Sequence, residues 1–65
     1  MPIRDEDRAE AARLKLLPRA EQREIVAMIR AVADNPKAPE GDRREARNRA
    51  KALEELLKLR PQRGG

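Results

Sequence analysis

The amino-acid sequence predicts an all-α fold, a small three-helix bundle with a short first helix. Three observations carry this prediction. The chain is dominated by Ala, Leu, Arg, Glu and Lys, the strongest helix formers. Apolar residues recur at helical spacing, and period-two alternation is missing throughout. Proline and glycine cut the sequence into three stretches, at Pro18, across Asn35-Pro36-Lys37-Ala38-Pro39-Glu40-Gly41, and at Pro61. The 65 residues allow one domain, expected over 1–60, with helices at about 5–16, 18–34 and 40–60 and a disordered tail over 61–65.

The first helix opens on Asp5, Glu6 and Asp7 and closes on Arg13 and Lys15, charges that suit the helix dipole at each end. Its apolar face is weak, consisting of Ala9, Ala12 and Leu16 flanked by Leu17, with Ile3 placed to pack back as a hydrophobic staple. Pro18 suits the first position of the second helix, where a missing N–H costs nothing. Ile25, Met28, Ile29 and Val32 form one stripe there, the most hydrophobic in the chain, and this helix is expected to be the central element of the core. Ile29→Ala is then expected to cost about 2–5 kcal/mol. The third helix carries Ala46, Ala50, Leu53 and Leu57, with Leu56 beside them, so the expected large core side chains are Ile25, Met28, Ile29, Val32, Leu53, Leu56 and Leu57. Leu14, Val26 and Leu59 fall off these faces and are expected at the surface as scattered aliphatics, the alternative being a cluster that marks a contact patch or dimer seam. Glu40–Arg44, Glu45–Arg49 and Glu54–Lys58 are i,i+4 pairs in the favourable order.

Composition speaks against catalysis. The sequence has no Cys, His, Tyr, Phe or Trp, and no Ser or Thr. The usual nucleophiles and the usual general base are therefore missing, and no enzymatic activity is expected. No disulfide and no zinc site can form, and no cofactor is expected. The Asp5-Glu6-Asp7 cluster reads as helix N-terminal charge rather than a hard-cation site. The stretch from Asp34 to Asp42 lacks EF-hand ligand spacing, and Gly41 stands alone, so no phosphate-cradling loop is present. No run of about 18 apolar residues suggests a membrane span, and a cytoplasmic location is expected.

The net charge is +4 and the pI about 10.3. On the second helix Arg19, Arg23, Val26 and Arg30 share a face, and on the third Arg44, Arg47, Lys51 and Lys58 share another. Arg19, Gln22, Arg23 and Arg30, with Arg44, Arg47 and Lys51, are the candidate contacts to an anionic partner. Arg19, Gln22 and Arg23 sit in the first turns after a short connection, where a recognition helix reads guanine with Arg and adenine with Gln. Missing aromatics disfavour single-stranded targets. The favoured expectation is a non-enzymatic scaffold or protein-binding module, acting on a protein partner or a second copy through helix faces. A basic DNA-binding module is the alternative.

The stretch from Leu17 to Leu59, with its Pro-led helix start and its Asn-Pro…Pro-Glu-Gly loop, resembles de novo designed helical mini-proteins in style. The resemblance implies a fold test or a target binder and names no natural family. Leu17 before Pro18 and the preference for Arg over Lys depart from it and fit a GC-rich natural gene.

Overall fold

The computed structural model describes residues 3–59. They form three helices, α1 (Asp5–Leu14), α2 (Arg19–Asp34) and α3 (Glu40–Leu57), and no strand occurs among the described residues. The expected tail over 61–65 lies outside them.

α1 is two residues shorter than expected. A residue before proline is sterically disfavoured in the helical region, so Leu17 cannot extend the helix toward Pro18. Lys15 and Leu16 instead form the turn. Pro18 stands just ahead of α2, with ψ 152°, rather than inside its first turn. α1 has no side-chain cap at its start; Asp5, Glu6 and Asp7 supply the negative charge there. Between α2 and α3, the Asn35 carboxamide oxygen accepts the Lys37 N–H at 3.0 Å, and the Asn35 carbonyl accepts the Ala38 N–H at 3.1 Å. This Asx turn reverses the chain before Pro39.

α3 stops at Leu57, three residues early. Lys58 adopts the left-handed conformation (φ 57°), and the Leu59 N–H returns to the Glu54 carbonyl at 2.8 Å. This Schellman closure turns Leu59 back onto the bundle, where it is buried.

α3, not α2, is the central element. It packs against both other helices and buries Ala46, Ala50, Ala52, Leu53 and Leu57, with Ala50 and Leu53 wholly inaccessible. Small residues at Ala46 and Ala50 let a neighbouring backbone approach, while Leu53 and Leu57 fill the wider end. The rest of the core is Ala11, Leu14, Val26 and Leu59, with Leu17, Ile25, Ile29 and Leu56 packed against it half-buried.

Several core expectations are thereby corrected. Met28 is 68% exposed, Val32 43% and Leu16 86%, whereas Leu14, Val26 and Leu59 are inside. On α1 the inward face is Asp7, Ala11 and Leu14, and Ala9 and Ala12 point outward. Leu14 is the one large aliphatic side chain within the helix proper, so it decides which side turns in. On α2 the apolar arc is about 160° wide, from Val26 round through Ile25 to Met28. α3 takes the Val26 and Ala33 side of that arc. α1 meets α2 at the Leu14–Gln22 corner but packs along α3, so none of the described residues covers the Met28 and Val32 edge. The molecule is accordingly thin, 21 Å in its shortest dimension, about two helix diameters.

Candidate functional site

Two surfaces are candidates, a basic flank and the uncovered apolar edge of α2. The residues expected to meet an anionic partner divide into two groups.

Arg19, Gln22 and Arg30 are engaged inside the molecule. Arg19 Nη1 donates to the Leu57 carbonyl at 2.8 Å and Nη2 to the Lys58 carbonyl at 3.1 Å. It therefore caps the end of α3, where carbonyls lack helical partners and the dipole favours a cation. Gln22 is buried, and its amide nitrogen donates to the carbonyls of Leu14 and Leu17, both at 2.9 Å. Both acceptors are carbonyls, which fixes the amide orientation and leaves Gln22 Oε1 without a partner. Arg30 grips Glu54 with two parallel hydrogen bonds, Nε to Oε2 at 2.8 Å and Nη2 to Oε1. That hydrogen bond holds the Arg30 pKa above its ordinary value, against the opposing effect of desolvation. Helical side chains lean toward their own N-terminus, so on antiparallel helices Arg30 and Glu54 lean toward each other. Nothing in the residue types at these positions separates a base reader from an internal cap. The signal lay in distance: Gln22 sits eight residues after the α1 terminus whose carbonyls it serves.

Arg23, Arg44, Arg47 and Lys51 are exposed. Arg44 lies 3.8 Å from Glu40, a loose i,i+4 pair, and Arg23, Arg47 and Lys51 make no ion pair among the described residues. Arg43, Arg44, Arg47 and Glu40 line a shallow polar cleft at the start of α3. Arg23 lies about 20° from Arg30 around α2, and Arg47 about 20° from Glu54 around α3. The Arg30–Glu54 bridge thus joins the free cations of both helices into one flank.

The opposite side of α3 is occupied by α1. Arg4 Nη1 and Nη2 donate to Glu45 at 3.2 and 2.7 Å, Arg4 Nε to Asp7 at 3.3 Å, and Arg49 reaches Glu10 at 3.4 Å. The Arg4 hydrogen bond holds the Glu45 carboxyl below the usual carboxylate range. Asp7 is buried under Arg4 while Asp5 and Glu6 face outward, so the acidic cluster does not converge. Among the described residues no three acidic side chains are placed to hold a metal ion. A groove of about 410 Å³ opens beside this contact, lined by Ile3, Arg4, Asp7, Asn48, Lys51, Ala52 and Glu55.

The apolar edge is the surface that the sequence placed wrongly. Ile25, Met28, Ile29 and Val32 stand at i, i+3, i+4 and i+7, Ile25 and Ile29 half-buried and Met28 and Val32 exposed. Glu21 and Glu24 border it; Ala27 and Ala31 extend it. Desolvating such an edge is favourable in proportion to the apolar area covered, so it can bind but offers no chemistry of its own.

The fold defines an all-α three-helix bundle. No protein-family model, curated protein or solved structure matches the chain, and no natural family is identified. No helix among the described residues is long and apolar enough to cross a membrane.

Proposed function

We propose that the chain is a non-enzymatic helical module that binds a protein partner through α2. The observation behind this reading is the exposed Met28–Val32 edge, continuous with half-buried Ile25 and Ile29. Monomeric proteins leave scattered aliphatics at the surface, but four on one helical stripe amount to a contact patch. Met28 and Val32 serve as anchors, with Glu21 and Glu24 as a polar rim. The style of a designed helical binder fits the same reading. A photoreactive residue at position 28, with position 47 as comparison, tests it in the expressing cell. A discrete protein adduct from position 28 is expected, with the purified partner's affinity reduced at least about tenfold by Met28→Glu. Adducts from position 47 alone would move the function to the other flank.

The second reading is a basic nucleic-acid-binding module, and the joined flank of Arg23, Arg44, Arg47 and Lys51 favours it. With Arg19, Gln22 and Arg30 committed elsewhere, such binding would run through phosphates rather than base edges. Duplex affinity should then fall steeply with salt and show no sequence preference. Absence of duplex binding at low salt removes this reading.

A further inference from the structure

We propose that the cleft at the start of α3 is a phosphate-binding site that seats a phosphodiester of a duplex nucleic acid. This rests on the nucleic-acid reading above and names the site within it. Arg43, Arg44 and Arg47 line the cleft, about 280 Å³ in volume, together with Glu40. Arg43 and Arg47 make no ion pair among the described residues, and Arg44 reaches Glu40 only at 3.8 Å. Arg43 is half-buried, and its Nε is shut off from solvent with no acceptor. A buried donor without an acceptor is costly, and phosphate oxygens are acceptors that match the guanidinium fork. The arginine side chains, rather than the backbone at the start of α3, carry the site.

The surroundings select the ligand. From the cleft the cations continue along α3, from Arg44 to Arg47 to Lys51, at rises of about 4.5 and 6 Å. Phosphates on one strand of a duplex follow at about 3.4 Å of axis, so successive cations fall one to two phosphates apart. A lone phosphate would leave Lys51 unused and, across the Arg30–Glu54 bridge, Arg23 as well. The large exposed aliphatics among the described residues are Leu16, Met28 and Val32, and none of them lines the cleft. Met28 lies about 140° from Arg23 around α2. The flank therefore lacks the apolar area that membrane-surface binding gains from and the central anchors of a protein interface. Binding by charge alone is strong when the partner is a polyelectrolyte that releases condensed counterions. The sequence has no aromatic side chain on which bases could stack, which selects a duplex over a single strand. Glu40 is the one carboxylate in the cleft; it holds Arg44 loosely and repels the ligand, so it sets how readily the site fills.

Fluorescence anisotropy of a labelled, mixed-sequence DNA duplex, titrated with salt, tests the site. Contacts from Arg23, Arg43, Arg44, Arg47 and Lys51 predict a slope of log K against log salt between about −4 and −5. Arg44→Ala and Arg47→Ala, both at exposed positions, should each weaken binding about tenfold near about 50 mM salt and flatten the slope by about 0.9. Arg13→Ala removes the same charge on the α1 side and should leave both nearly unchanged. Glu40→Gln should tighten binding severalfold, and Glu24→Gln, at the same net charge beside Met28, should not. Circular dichroism should be unchanged in every variant. Absence of duplex binding at low salt removes the nucleic-acid reading together with the site. Duplex binding that Arg44→Ala and Arg47→Ala weaken no more than Arg13→Ala keeps that reading and overturns the site. Binding to polyglutamate or to phosphatidylserine–phosphatidylcholine vesicles as tight as to the duplex overturns the phosphodiester as the ligand.

Discussion

Gln22 closes α1 from the next helix, because its amide serves two carbonyls that no helical N–H can reach. Its role is therefore in stability rather than recognition. Gln22→Ala removes the buried amide from both carbonyls, leaving the Leu14 carbonyl only the Leu17 N–H at 2.9 Å, and should cost about 1–3 kcal/mol, read as a lowered urea midpoint at unchanged slope. An unchanged midpoint would return Gln22 to the list of available recognition residues. The Arg30–Glu54 pair follows the same logic. Glu54 is nearly buried, and the bidentate guanidinium is what lets its charge remain there.

At the scale of an element, the end of α3 shows a local conflict resolved by its neighbours. A lysine in the left-handed conformation is strained, and glycine is the residue that fits there without cost. The strain persists because the turn returns Leu59 to the core and exposes the Leu57 and Lys58 carbonyls to Arg19. Lys58→Gly keeps both arrangements and removes the strain. It should stabilise the protein by about 0.5–1 kcal/mol, a rise in Tm of roughly 2–8 °C by calorimetry. A fall in Tm would show that the lysine stem contributes more than its backbone costs.

For the whole molecule, the central position of α3 relocates the energetics. A bundle of this size has only about 3–5 kcal/mol of net stability. Leu53→Ala opens a cavity at the one fully buried large side chain among the described residues and should cost about 2–5 kcal/mol, leaving the chain largely unfolded by circular dichroism at 25 °C. Met28→Ala should change stability by no more than about 0.5 kcal/mol. Ile29→Ala, for which the sequence predicts the full cost of a core truncation, falls between them, because Ile29 is only half-buried. Equal effects at Leu53 and Met28 would contradict this packing.

The three helices, their punctuation by proline and the participation of Ala46, Ala50, Leu53 and Leu57 in the core follow from the sequence alone, because propensity and periodicity act over a few neighbouring residues. Which part of the α2 arc is covered does not follow, since that depends on where α1 lies and α1 carries only one large aliphatic side chain to direct it. The same holds for the arginines: exposed or bridging, they have identical local patterns, and only the approach of another helix terminus or of Glu54 tells them apart. Local sequence determined the elements and their amphipathicity. Tertiary packing decided which apolar edge was left to solvent and which cations remained free, because a two-layer bundle has too few helices to cover every face it presents.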